Sequence, residues 1–148
     1  MSVAGAPQRA ALVTGGARGI GLAIVEALAD RGDRVTIADV DLDRATRSAT
    51  DLEARGHRVA AVALDVTDVE QVHRVLGEVD AEAPLTTVVC NAGLGQLGGV
   101  LDTSEGEYDR VLAVNLKGVF FTMQAALRLM VPRAAAVVSI RTAAFDRS

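Results

Sequence analysis

The chain has 148 residues, a formal net charge of -4, 50% hydrophobic residues and 23% charged residues. This length suggests one domain, and the composition is that of a globular chain, which excludes wholesale disorder. Because there is no basic excess, we expect no nucleic-acid partner. The one cysteine cannot form an intrachain disulfide, the first ten residues lack a signal-peptide pattern, and no apolar run is long enough for a membrane span. We therefore expect a cytoplasmic protein with no membrane partner.

Strand-like and helix-like segments alternate along the chain. Short apolar runs predict five strands, at residues 9–14, 35–39, 59–64, 86–90 and 134–140. Helical periodicity and terminal glycines predict helices at residues 19–31, 43–55 and 69–79, and a longer, bent helix from 104 to about 130. Ser104, with Glu107 three residues later, has the spacing of a capping box, and Pro132 ends the last helix.

This alternation predicts an α/β fold in three layers, with a doubly wound parallel sheet of the Rossmann type. Right-handed crossovers give the strand order 3-2-1-4-5 and place a ligand crevice beyond the carboxyl ends of strands 1 and 4. The first helix is predicted to bury an apolar face made of Ile20, Ala23, Ile24, Ala27 and Leu28.

Glycines are concentrated where the first strand meets the first helix, at residues 14–21 (TGGARGIG). Gly15 lets the chain turn off the strand, and Gly19 lets backbone approach a pyrophosphate at the helix N-terminus. Gly21 lets the helix pack close to the sheet. The bland alternative is an ordinary strand-to-helix turn, but the strand before it and the helix after it favour a dinucleotide site.

Two further positions complete the predicted dinucleotide site. Arg18 and the backbone of Ile20 lie at the lip of the turn, within reach of a phosphate or ribose. Asp39 ends the second strand, where an acid accepts hydrogen bonds from the adenosine ribose hydroxyls and repels a 2′-phosphate. This favours NAD over NADP as the cofactor, although Asp39 could instead merely begin a turn.

Four motifs in this order resemble the short-chain dehydrogenase/reductase family: residues 14–21, Asp65–Val66 after the third strand, residues 90–93 (CNAG) and residues 114–118 (VNLKG). The resemblance covers nearly the whole chain, although Cys90 replaces the first Asn of the family's NNAG motif. It implies that residues 1–148 form a single NAD(P)-binding domain, incomplete relative to the family. It also implies hydride transfer between nicotinamide and a small alcohol or ketone.

The resemblance assigns roles residue by residue. Asp65 would hold the adenine amino group, assisted by the backbone of Val66, and Asn115 would anchor a water in a proton relay. The ribose and nicotinamide side would be lined by Asn91, Ala92 and Gly93. The resemblance is also compatible with a homo-oligomer that forms through the helix that carries Asn115. Taken singly, Asp65 could instead cap a helix and Asn91 could turn the chain.

The family's catalytic tyrosine and lysine, which follow strand 5 with three residues between them, are missing from this chain. The single tyrosine, Tyr108, and the single lysine, Lys117, precede that strand at the wrong spacing, so we predict a packing residue and a surface residue. Alignment on the strand places Thr142, not Ser139, at the position of the catalytic serine. The predicted catalytic set is therefore Asn115 and Thr142.

Two accounts fit this departure: a truncated or frame-shifted form of a longer oxidoreductase, which we favour, or a short protein that keeps only the nucleotide half. The second would be a non-catalytic NAD-binding or interaction module. A methyltransferase-like Rossmann domain that binds S-adenosylmethionine fits the glycine spacing and Asn115 less well. No metal is expected, because His57 and His73 lack metal-ligand spacing, and Cys90 is expected to be a small buried residue.

Overall fold

The computed structural model describes residues 9–95, 99–134 and the backbone of 138–140. These residues form a five-stranded parallel sheet in the order β3-β2-β1-β4-β5, which confirms the predicted Rossmann-type topology. The strands are β1 (Ala10–Thr14), β2 (Arg34–Asp39), β3 (Arg58–Ala63), β4 (Leu85–Cys90) and β5 (Val138–Ile140).

Helices connect the strands and cover both faces of the sheet. They are α1 (Gly19–Asp30), α2 (Leu42–Ala54), α3 (Val69–Glu82), α4 (Glu105–Leu112) and α5 (Val119–Met130). Gly32 and Gly56 follow α1 and α2 at φ values of +91° and +88°, a backbone conformation that glycine adopts without strain, so both helices end where the sequence predicts.

Each face of the sheet has its own apolar core, because strand side chains alternate between the two faces. Val13 and Ile37 pack with α1 and α2, whereas Leu12 and Val88 pack with α3 and α5. All four side chains are completely buried. The three-layer arrangement therefore follows from the nearly continuous apolar strands β1, β2 and β4, which are buried on both faces, whereas the edge strand β3 is partly exposed.

The buried face of α1 differs from the predicted one. Of the five predicted residues, Ile24 and Leu28 are half-buried and pack against the core, whereas Ile20, Ala23 and Ala27 are exposed. The fully buried positions are Gly21, Val25 and Ala29. A side chain at Gly21 would overlap the carbonyl oxygen of Gly15. Because the helix must put this glycine against the sheet, the stripe that repeats every four residues from it is the one buried.

The predicted bent helix is a continuous helical segment with a change of type in the middle. Six residues, Ala113–Gly118, form a π-helical turn between α4 and α5. At the N-terminus of α4, the Ser104 hydroxyl accepts a hydrogen bond from the Glu107 N–H, and the Glu107 carboxylate accepts one from the Ser104 N–H. The predicted capping box is therefore confirmed.

Two details at the end of the described chain and on α4 correct the sequence predictions. Strand β5 is described over Val138–Ile140, and Ala134, which the sequence places in this strand, is instead a turn residue with φ of +54° after a 3-10 turn that contains Pro132. Tyr108 is 57% exposed, so the prediction that it is a packing residue was wrong. The reason is that α4 has no buried residue at all.

Candidate functional site

A cavity of about 880 Å³ lies at the carboxyl edge of the sheet, beside β1, β2 and β4. Every residue that the sequence assigns to cofactor binding lines it: Gly15, Arg18, Gly19, Ile20, Gly21, Asp39, Asp65, Val66, Asn91, Ala92 and Gly93. Residues as far apart as 15 and 93 converge because parallel strands deliver their carboxyl ends to one edge.

Three of the glycines in residues 15–21 show two kinds of surroundings. A Cβ at Gly15 would lie 2.8 Å from the Ala92 Cα, and one at Gly21 would lie 2.5 Å from the Asn91 Nδ2 atom. Gly19, at φ of +54°, has nothing within 4 Å of its Cβ position. Gly15 and Gly21 therefore serve close packing, whereas Gly19 keeps open the space next to the N-terminus of α1.

Hydrogen bonds fasten the ends of β1 and β4 to each other below this turn. The Thr14 hydroxyl oxygen accepts from the N–H groups of Asn91 and Ala92, at 3.0 and 3.1 Å. The Asn91 side-chain amide donates to the carbonyl oxygens of Thr14 and Gly15, at 3.1 and 3.0 Å. The buried Asn91 side chain thus holds the glycine turn in place. Its partner Thr14 was not among the predicted site residues, although its position directly before the glycines could have indicated it.

Asp39 is held in one orientation by the backbone. Its Oδ2 accepts from the Ala17 N–H and its Oδ1 from the Asp41 N–H, each at 3.1 Å. The Ser48 hydroxyl donates to the Ala17 carbonyl oxygen at 3.1 Å, which also holds the backbone of Ala17 in place. The carboxylate is therefore preorganised at the wall of the cavity, beyond the end of β2.

Asp65 shapes the loop between β3 and α3. Its Oδ1 accepts from both the N–H and the hydroxyl of Thr67, at 2.9 and 2.7 Å. The residue that caps α3 is Asp68, which accepts from the Gln71 N–H at 3.0 Å, so Asp65 is not the helix cap. The neighbouring Val66 is buried, and a Cβ on Gly118 would lie 2.7 Å from its Cγ2. This contact packs the π-helical turn directly against the loop between β3 and α3.

The two predicted catalytic residues have different outcomes. Asn115 lies in the π-helical turn, where its Oδ1 accepts from the Leu94 N–H and its Nδ2 donates to the Leu94 carbonyl oxygen, both at 2.8 Å. It does not line the cavity itself but positions Leu94, which does. Thr142 lies outside the described residues.

Arg110 and Val114 also line the cavity, and neither is in the predicted set. Both belong to the helical segment that starts at α4. Arg18 and Arg110 are exposed, and within the described ranges neither side chain forms a hydrogen bond or an ion pair with an acid. Two guanidinium groups therefore face one cavity with donors available to an anionic or aromatic ligand.

The remaining candidate groups do not form a second reactive centre. Burial raises the pKa of the Cys90 thiol to about 11, so it is protonated at neutral pH and unsuited to act as a nucleophile. His57 precedes β3 and lies 3.2 Å from Asp30, and Lys117 is exposed as predicted. In the part of the chain that the structure covers, no three His, Cys, Asp or Glu side chains are placed to hold a metal ion.

None of the helices within residues 9–95 and 99–134 is long and apolar enough to cross a membrane. A shallower apolar groove of about 470 Å³ lies on the outer side of α5, lined in part by Phe120, Leu127 and Val131. It is separate from the cavity at the carboxyl edge.

Comparisons with known proteins agree with this geometry. A family model described as short chain dehydrogenase matches residues 9–145. Galactitol 2-dehydrogenase of Agrobacterium fabrum is 42% identical over 127 residues, which cover 85% of this chain and 48% of that protein. The chain spans about half the length of the curated relatives it matches.

Two solved structures have the same fold over most of this chain, each at a TM-score of 0.83. One is an alcohol dehydrogenase from the archaeon Thermococcus sibiricus complexed with 5-hydroxy-NADP, at 32% identity, covering 90% of this chain and 57% of that one. The other is a gluconate 5-dehydrogenase from Burkholderia cenocepacia in complex with NADP and tartrate, at 29% identity, covering 89% of this chain and 52% of that one.

Proposed function

We propose that this chain, which belongs to the short-chain dehydrogenase family, binds a nicotinamide dinucleotide in the cavity at the carboxyl edge of its sheet. The reaction it serves is hydride transfer between the nicotinamide and a small alcohol or ketone. The observation that carries the proposal is the convergence of all eleven predicted cofactor residues on one cavity.

The residues present fit such a cofactor. The open space at Gly19 lies beside the N-terminus of α1, whose unpaired N–H groups favour a pyrophosphate. Asp65 has one carboxylate oxygen engaged with Thr67 and the other without a hydrogen bond among the described residues, so it can accept from the adenine amino group. Ala92 and Gly93 line the cavity beyond β4, on the ribose and nicotinamide side.

Binding by the cavity is tested with a pair of glycine variants. Gly19→Ala and Gly56→Ala each place a methyl group at a positive φ with nothing within 4 Å, so both incur a similar backbone strain. Only Gly19 lies at the cavity. We expect calorimetric titration to show NADH binding by the wild type and by Gly56→Ala, and a loss of about tenfold or more for Gly19→Ala. No NADH binding by the wild-type chain would refute the proposal.

Asp39 supports a preference for NAD over NADP. Its carboxylate is fixed by two backbone N–H groups, and a 2′-phosphate placed beside it would meet like charge. The two solved relatives named above hold NADP or an NADP derivative, so the preference is a specific claim about this chain. We expect Asp39→Asn, which keeps the shape of the side chain, to lower the ratio of NADH to NADPH affinity about tenfold. Tighter binding of NADPH than NADH by the wild type would contradict the assignment.

Within these 148 residues, cofactor binding is expected without normal turnover. In this family a tyrosine with a neighbouring lysine is expected to transfer the proton of the substrate oxygen, and Tyr108 and Lys117 are both exposed and lack the spacing of that pair. Asn115 is assigned as a positioning residue through Leu94, and Thr142 supplies the hydroxyl for the substrate oxygen. Oxidation of sugar alcohols by the chain at an ordinary enzymatic rate would overturn this incompleteness.

The helix that carries Asn115 is also the surface through which we expect self-association. Leu116, Phe120 and Val131 are more than half exposed, and Phe120 and Val131 border the apolar groove. Phe120→Glu is expected to leave the chain monomeric in sedimentation experiments, whereas Arg47→Glu on the exposed side of α2 leaves the dimer intact. A wild-type chain that stays monomeric at high concentration would refute the proposed self-association.

A further inference from the structure

Among the described residues that line the cavity, Arg110 is the cation contributed by the helical wall. Along that wall, Arg110, Val114 and Gly118 are spaced four residues apart and so lie on one face of the helical segment. Gly118 packs directly against Val66, and Val114 lines the cavity. Arg110 therefore lies on the same side as the Asp65–Val66 loop, which is the adenine side of the proposed cofactor site.

The local structure does not occupy the Arg110 guanidinium. Glu107, three residues earlier on α4, is an acid that the charge of Arg110 influences, and this carboxylate already accepts from the N–H and the hydroxyl of Ser104, at 2.9 and 2.7 Å. The attraction of Arg110 helps to lower the pKa of Glu107, after the two Ser104 hydrogen bonds, but no hydrogen bond joins the two side chains in the described part of the chain. The guanidinium plane thus remains available to a ligand.

Arg18 differs from Arg110 in position. It precedes the N-terminus of α1, where a pyrophosphate is expected, while Arg110 belongs to the wall that packs on Val66. A planar guanidinium on a wall beside an aromatic heterocycle stacks on its face, whereas Asp65 reads the edge of the same ring. The two arginines consequently meet different parts of one dinucleotide.

From this placement we infer that Arg110 is an adenine-binding residue, whose guanidinium stacks on the face of the adenine ring of the bound dinucleotide. This inference rests on the proposed function and adds a residue and a contact to it. It also explains why an arginine on a helix with no buried residue faces the cavity without an acidic partner.

The test measures the affinity of the full 148-residue chain for NADH, AMP and nicotinamide mononucleotide by calorimetry. Arg110→Met removes the charge and the plane, and we expect it to weaken NADH and AMP about fivefold while leaving nicotinamide mononucleotide unchanged. Arg110→Lys keeps the charge without the plane and should not restore the affinity. Arg47→Met, an exposed arginine away from the cavity, is the matched control and should change nothing.

The outcomes separate the inference from the proposal beneath it. A wild-type chain that binds none of the three ligands refutes the proposed function itself. Wild-type binding with unchanged AMP affinity in Arg110→Met overturns only the role of Arg110. Full recovery in Arg110→Lys would make the contact one of charge alone, and an equal loss for AMP and nicotinamide mononucleotide would point to a general disturbance of the fold; either result refutes stacking on adenine.

Discussion

The arginines at the amino edge of the sheet and the arginines that line the cavity at its carboxyl edge differ in their partners. At the amino edge, arginines are paired with acids: Arg9 and Arg31 with Asp33, Arg34 with Glu82, and Arg133 with Asp80. At the carboxyl edge, Arg18 and Arg110 line the cavity and have no ion pair within the described residues. The difference teaches that the arginines of the amino edge fasten loops and helix ends, whereas the two arginines of the cavity are left available for a ligand.

Glycines follow the same division. At the amino edge, Gly32 and Gly56 end helices in open space. At the carboxyl edge, a side chain on Gly15 or Gly21 would press on the backbone or side chain of its neighbours. Close backbone contact is therefore concentrated under the site, which keeps the floor of the cavity rigid while its wall remains open.

The largest expected effect comes from breaking the carboxyl edge at Gly21. A methyl group there would overlap the Gly15 carbonyl oxygen and displace the Asn91 amide that is hydrogen-bonded to it. We expect Gly21→Ala to lower the free energy of unfolding by about 2–3 kcal/mol in urea titrations. Gly77→Ala in α3, where nothing lies within 4 Å, should instead raise it by about 0.5–1 kcal/mol. Similar effects of the two variants would refute the close packing.

At the amino edge, the expected effect depends on pH. Burial alone would raise the pKa of Asp80, but hydrogen bonds from Arg133 and the Leu85 N–H outweigh it and hold the pKa below its ordinary value of 3.8. The stabilisation is thus present above pH 3.8 and is lost as the pH falls through the lowered value. We expect Asp80→Asn to cost about 1–3 kcal/mol at pH 7. Unfolding curves at lower pH should show the two proteins converging, and a constant difference would contradict the assignment.

The smallest effects distinguish the two kinds of arginine. Arg34 is 40% exposed and pairs with an exposed Glu82, so Arg34→Gln should cost at most about 1 kcal/mol of stability and leave NADH affinity unchanged. Arg18→Gln should leave the unfolding midpoint unchanged and weaken NADH binding, most strongly at low salt. Stability and NADH affinity should be measured for both variants. Weaker NADH binding by Arg34→Gln, or a lower unfolding midpoint for Arg18→Gln, would contradict this distinction.

Much of the fold could be predicted from sequence because it depends on strong local signals. The apolar strands, the glycines after α1 and α2 and the Ser104–Glu107 capping box each have a direct structural reason and were confirmed. The strand order then follows from right-handed crossovers. For the site, the residue types found at the strand ends were sufficient to predict eleven residues that line the cavity. Their roles in binding a cofactor stay predictions.

The details that sequence reasoning missed depend on contacts across the fold. The rotation of α1 is set by Gly21 against Gly15, which a helical apolar pattern dominated by Ile20 and Ala23 does not reveal. Tyr108 is exposed because α4 buries none of its residues, which the sequence of the helix alone does not show. Arg110 lacks a motif of its own, and only the packing of Gly118 on Val66 turns its face of the helix toward the cavity.

Amide hydrogen exchange with and without NADH tests the central claim most directly, since it follows both edges in one experiment. The account predicts slower exchange on NADH binding in residues 15–21, 64–67 and 91–95, which line the cavity. It predicts unchanged exchange at the amino edge, in residues 31–34 and 80–85. Protection absent from the cavity segments, or equal at the two edges, would contradict a dinucleotide site at the carboxyl edge.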